Sequence, residues 1–228
     1  VTGVQTCALP ICEAHLRQFL PHMQAYFARD KADKDIPYRI LIVEQMPGQP
    51  FNRGALRNIG FQMSREISDY VCFHDVDYLP LWADYSAVTQ PTVGLYWGAE
   101  YRPIAEGRSE MAIRHNVDAL VGGMLLIPNA QFVQVNGYSN EYWGWGHEDM
   151  DLAERFRRAG ISYARRKGTF RPLTHDHEGY NLDGSTSAIA RVNEALLERR
   201  KAETGLAADG DRKSTRLNSS HGYISYAV

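Results

Sequence analysis

The stretch WGWGHEDMD, residues 143 to 151, sets two tryptophans between glycines and follows them at once with three carboxylates, Glu148, Asp149 and Asp151. An indole is a wide, flat surface of the kind on which a sugar face stacks, and neighbouring carboxylates accept hydrogen bonds from sugar hydroxyls. If HEDMDLAERF opens a helix, Asp149 lies in its first turn, where the positive end of the helix dipole favours an ionised carboxylate. An ionised carboxylate beside a hydroxyl acts as a general base. The plainer alternative makes Trp143 and Trp145 core residues and lets the acids merely favour the helix start.

Two shorter alternations carry metal chemistry. Asp75 and Asp77 stand two apart at the end of DYVCFHDVD, which reads as a strand, so both side chains leave from one face and form an oxygen site for a divalent cation. His175 and His177 repeat the spacing in THDHEG. Carboxylate with imidazole suits manganese or zinc better than calcium, and diphosphate oxygens completing the site suit manganese best. Taken singly, each pair also reads as solvated surface groups; together they favour metal.

These groups need a scaffold, and the apolar pattern supplies one. Leu16, Phe19, Leu20, Met23 and Phe27 recur at spacings of three and four, a helical stripe, and YRILIVEQ (38 to 45) then reads as a buried strand. Asn52 is placed to cap a helix over 53 to 66. VGLYWGAE (93 to 100) and VGGMLLIPN (121 to 129) read as strands, and AQFVQVNG (130 to 137) as a short helix. Residues 148 to 160 read as a helix closed by Gly160, SYARR and FRPLTHDH as two further strands, and 185 to 205 as a terminal amphipathic helix. Strands alternating with helices predict an α/β layered domain with a mainly parallel sheet and ligands gathered at the carboxyl ends of the strands.

Composition is consistent with one such domain. With 228 residues, 44% hydrophobic and 23% charged, and a net charge of −2, nothing points to nucleic acid or an acidic membrane surface as partner. No apolar run reaches the roughly 18 residues of a membrane span. The two ends stand apart: VTGVQTCALPI (1 to 11) and 211 to 228 resemble translated sequencing-library adapters. A nucleotide sequence encoding Val1 to Ile11, reverse-complemented and read one frame along, encodes Asp211 to His221. The expectation is therefore adapter-derived segments at 1–11 and 211–228 around a single domain at 12–210 that lacks its first strand. Cys72 is then the one secure cysteine, which fits a reducing compartment.

FNRGALRNIGF (51 to 61), HDVDYLP (74 to 80), residues 121 to 160 with their WGWG-x-ED signature, and FRPLTHDH (170 to 177) resemble the β-1,4-galactosyltransferase family, glycosyltransferase family seven. The bacterial relatives and the xylose-acceptor branch are the nearer likeness. The resemblance implies a GT-A fold and an inverting, manganese-dependent transfer of galactose or N-acetylgalactosamine from a UDP-sugar to a glycan hydroxyl. It implies that Phe51, Arg53, Asp75, Val76, Leu120, Gly123, Trp145 and Glu148 line the donor site. Asp77 would contact donor and metal, and His175 and His177 would complete the manganese site. Asp149 would be the base, with Trp145 as part of a mobile lid and Met150 beside the acceptor. Met150 departs from the acid usual there, and Leu120 replaces a tyrosine that hinders a 2-acetamido group. A sugar-binding protein keeping the fold, or a metal-dependent hydrolase, is the competing class. Polysaccharide biosynthesis in a bacterial cytoplasm is the expected setting, or the Golgi lumen for a eukaryotic parent.

Overall fold

The computed structural model describes residues 2–8, 13–34, 37–94, 99–105, 108–113, 121–166, 168–173, 186–202 and 223–227. The first part is wound β-α-β-α-β: β1 (Thr2–Ala8), α1 (Glu13–Lys34), β2 (Tyr38–Gln45), α2 (Arg53–Ser64) and β3 (Tyr70–Asp75). There follow β4 (Tyr78–Ala83), β5 (Thr92–Val93), the hairpin of β6 (Ala99–Ala105) and β7 (Arg108–Ile113), β8 (Met124–Pro128) and α3 (Asn129–Gln134). The chain then forms α4 (Glu148–Arg158), β9 (Ala164–Arg165), β10 (Gly168–Pro172), α5 (Ala188–Ala202) and β11 (Tyr223–Ala227).

Seven strands make the main sheet in the order β11-β2-β1-β3-β8-β5-β9. The sheet is mixed where a mainly parallel one was expected. β2, β1 and β3 run parallel, whereas β8 enters antiparallel to both β3 and β5, and β11 lies antiparallel to β2. Parallel neighbours need a crossover helix, which α1 and α2 provide; β8 is reached without one. The first strand, expected to be missing from the domain at 12–210, does lie outside that span, and residues 2–8 take its slot. Thr2–Ala8 fills the slot between β2 and β3, with Val4 opposite Ile40 on one side and Cys72 on the other. A seven-residue strand there gives both neighbours main-chain partners that they would otherwise lack.

Strand alternation divides the core between the two faces. Ile40 and Ile42, Tyr70 and Cys72, and Met124 and Leu126 face α1, where they pack with Phe19, Met23 and Phe27. Val71, Phe73, Leu125 and Ile127 point the other way, against Phe61, Phe132, Leu152 and Phe156 from α2, α3 and α4. Burying each such side chain contributes about 1.5–3 kcal/mol, so the helices are held to both faces by these residues and not by their polar surfaces. β4 and the hairpin were not read from the sequence: β4 pairs with β10 in a separate two-stranded sheet, and its exposed Leu81 and Trp82 break the expected alternation. No helix among the described residues is long and apolar enough to cross a membrane.

Candidate active site

Parallel β2 and β3 deliver their carboxyl ends to one edge, the place where open α/β sheets bind ligands. Asp75 is the last residue of β3, and Arg53 is the first of α2, eight residues beyond the end of β2. Asn52 caps α2, its side-chain oxygen accepting from Ala55 N at 2.9 Å, which holds the helix start in place. Gly54 lets the helix approach the main chain of Tyr138 and Ser139 so closely that a Cβ there would strike the Ser139 carbonyl. Asn58 completes the attachment, donating to the Tyr138 carbonyl and accepting from the Tyr138 amide, at 2.8 and 2.9 Å.

The two ends meet through arginine. Arg53 donates to both oxygens of Asp75, at 2.7 and 2.6 Å, and its other terminal nitrogen donates to Glu148 at 2.5 Å. Burial opposes the Arg53 charge, but Asp75, Glu148 and Asp149 outweigh it and hold the guanidinium firmly protonated. Burial likewise opposes the Asp75 charge, and Arg53 and Arg57 overcome it, so this carboxyl titrates below its ordinary range. Sequence reading missed Arg57. It donates to Asp75 at 2.7 Å and to the Tyr138 hydroxyl at 2.9 Å, with its guanidinium over the Phe73 and Tyr138 rings. Its position four residues after Arg53, on the same helix face, was the available signal.

The three carboxylates of the 143–151 stretch have different partners. Glu148 pairs with Arg53, whereas Asp151 belongs to the framework, accepting from Arg155 at 2.6 Å and from Tyr142 at 3.3 Å in buried surroundings. Asp149 lies between them in the first turn, buried, with one oxygen accepting from the Met150 amide at 2.8 Å. The expectation that the helix dipole keeps it readily ionised is corrected: burial first and then the charge of Glu148 push its carboxyl up to about 6, against Arg53, the Met150 amide and Arg57. Such a group is still mostly ionised at neutral pH, and far better matched to accepting a proton there than an ordinary aspartate.

The loop before α4 turns on residues with positive φ: Gly144 (73°), Gly146 (95°) and His147 (74°). Its main chain is tied down, since Gly144 N donates to the Phe51 carbonyl at 2.7 Å and Asn193 of α5 donates to the carbonyls of Trp143 and Trp145, both at 3.0 Å. Trp143 is exposed and Trp145 half-buried, so neither is a core residue. Asn193 was also missed; it lay in a helix read only as amphipathic.

The other expected site residues divide. Phe51 packs against the small cluster of Leu41, Val43, Leu56 and Ile59, and Val76 is buried in the α1 core, so what Val76 offers a ligand is its main chain. Gly123, at φ 74°, accepts from Asp75 N at 2.9 Å. Asp77 is not on the strand: β3 ends at Asp75 and the chain turns, so the two acids do not share a strand face as expected. The Asp77 carbonyl accepts from Leu173 N at 2.6 Å just after β10, two residues before His175 in sequence. Leu120, His175 and His177 lie outside the described residues, and among those described no group of three or more His, Cys, Asp or Glu side chains gathers as a metal site.

Comparison with known proteins decides the family. A profile described as the N-terminal region of glycosyl transferase group 7 matches residues 10–87, and one described as the N-terminal domain of galactosyltransferase matches residues 102–178. The crystal structure of the catalytic domain of Drosophila β-1,4-galactosyltransferase 7 in complex with xylobiose superposes with a TM-score of 0.65 at 30% identity, over 90% of this chain and 82% of that one. The chain belongs to glycosyltransferase group 7. Its fold is therefore GT-A. A mutant of the Drosophila group 7 enzyme, in complex with manganese, UDP-Gal and xylobiose, superposes with a TM-score of 0.62 at 29% identity, over 90% and 83% of the two chains. In sequence, β-1,4-galactosyltransferase 7 of Drosophila melanogaster is 33% identical over 195 residues, 84% of this chain and 56% of that protein. The Homo sapiens protein of the same name is 35% identical over 187 residues, 79% and 53%. The chain thus spans about half the length of the curated relatives it matches.

Proposed function

We propose that the protein is an inverting glycosyltransferase that moves galactose from UDP-galactose to a hydroxyl of a glycan acceptor, with residues 12–210 as the catalytic domain. The carrying observation is the arrangement at the sheet edge: Arg53 bridges Asp75 and Glu148 beside Asp149, a buried acid whose proton affinity is raised toward neutral pH. In this reading Arg53 exchanges a carboxylate partner for the donor diphosphate and offsets its charge, as a guanidinium fork does well. Glu148 then holds a hydroxyl of the donor sugar, and Trp145 covers donor and acceptor from the loop that Asn193 anchors. Asp149 takes the proton of the acceptor hydroxyl as that oxygen bonds to the anomeric carbon, the bond from that carbon to the diphosphate breaks, and UDP departs. Attack opposite the leaving group inverts the centre.

The residues present fit a manganese ion. A carboxylate at Asp77 with imidazoles at His175 and His177 is a donor set of the kind that manganese takes. Asp77, His175 and His177 would hold the ion, whose charge would stabilise the departing diphosphate. The relatives support galactose as the sugar, and Leu120 in place of a tyrosine leaves N-acetylgalactosamine as a second substrate. A β-xyloside is the first acceptor to try, because the Drosophila structures contain xylobiose.

The test is UDP release by the chain with manganese, UDP-galactose or UDP-N-acetylgalactosamine, and a panel of acceptors that includes xylobiose. Release that needs both acceptor and manganese, and that Asp149→Asn slows by about 10²- to 10⁴-fold, is expected. Donor binding without turnover across the panel would replace this reading with a sugar-nucleotide-binding protein, and release by water alone would replace it with a hydrolase.

A further inference from the structure

Arg53 faces a conflict that its own geometry exposes. One terminal nitrogen donates to Asp75 and the other to Glu148, so a diphosphate that draws either of them toward itself competes with a carboxylate. A carboxylate released in this half-buried site and left unpaired would oppose the exchange.

The structure supplies a second, more deeply buried cation. Arg57 is 2% exposed where Arg53 is 22% exposed, and it is fixed on three sides: by Asp75, by the Tyr138 hydroxyl, and by the Phe73 and Tyr138 rings. Tyr138 is in turn held by Asn58 of the same helix. We propose that Arg57 is a positioning residue that keeps Asp75 paired and oriented while Arg53 turns to the donor diphosphate. Arg57 touches no substrate in this role; it sets donor affinity through Asp75. The assignment rests on the reading of Arg53 as the diphosphate ligand.

The test compares the full chain with its Arg57→Met, Arg57→Lys and Asp75→Asn variants. Calorimetric binding of UDP in the presence of manganese is read beside kcat, donor KM and the melting temperature. For Arg57→Met we expect UDP affinity to fall and donor KM to rise tenfold or more while kcat stays within about threefold. Arg57→Lys, which keeps the charge, recovers most of the affinity. In an Asp75→Asn background, Arg57→Met adds less than twofold, because the group it acts through is no longer charged. If Arg57→Met does not fold, Tyr138→Phe removes one anchor of the guanidinium and keeps its charge; UDP then binds at least threefold more weakly, and again only when Asp75 is present. UDP affinity unchanged within twofold in the variant that folds overturns the assignment, as does an equal loss in the Asp75→Asn background. Failure of the unsubstituted chain to bind UDP at all overturns the proposed function, and this assignment with it.

Discussion

In the proposed reaction Asp149 is the base, and its surroundings oppose its charge. Burial and Glu148 raise it, Arg53, Arg57 and the Met150 amide restrain it, and the outcome is about 6. A general base works only deprotonated, so kcat should fall as pH drops through about 6; a rate profile flat down to pH 5 would show that this group does not limit the step. Stability runs the other way. An acid with a raised pKa binds protons more readily folded than unfolded, so its contribution is full below the ordinary aspartate range and is lost as pH rises through about 6. Asp149→Asn removes both effects: kcat should drop by about 10²- to 10⁴-fold, while the loss of stability on going from pH 4 to pH 7, followed by denaturant unfolding, becomes smaller. The carboxylates themselves were legible in the sequence. Their division of labour was not, because whether an acid pairs with Arg53, with Arg155 or with neither depends on which arginine folding brings beside it.

At the level of elements, the helix starts and ends were readable because their signals are local. Asn52 caps α2 as expected, and Gly160, at φ 66°, closes α4 with Gly160 N donating to the Arg157 carbonyl and Ile161 N to the Phe156 carbonyl. The role of α5 is the opposite case. Its buried Asn193 joins two carbonyls of the tryptophan loop from some fifty residues away in sequence, and no local pattern announces that. Asn193→Ala leaves both carbonyls without this donor, and Asn193→Asp replaces it with an acceptor. Steady-state kinetics should show kcat/KM reduced by about tenfold or more in Asn193→Ala, and further in Asn193→Asp, with UDP affinity little changed. Equal kinetics in all three proteins would mean that the loop needs no anchor from α5.

Across the whole molecule, Thr2–Ala8 stands at the centre of the sheet, hydrogen-bonded to β2 and β3 together. Deleting residues 1–12 would leave two facing strand edges unpaired, so thermal melting and light scattering should show a marked loss of stability and a gain in self-association. Replacing the same residues with another strand-forming sequence should restore most of the melting temperature if the slot is held by main-chain pairing; no restoration would mean that the side chains of that strand matter. The sequence alone determined the layered α/β class, most helix boundaries, the family and the residue types at the site, because periodicity, caps and short motifs act over a few neighbours. Tertiary structure alone decided the mixed strand directions, the filling of the central slot, the pairing of Asp75 with two arginines and the raised proton affinity of Asp149. Each of these depends on burial and on charges brought together from distant parts of the chain, and neither is encoded in local spacing.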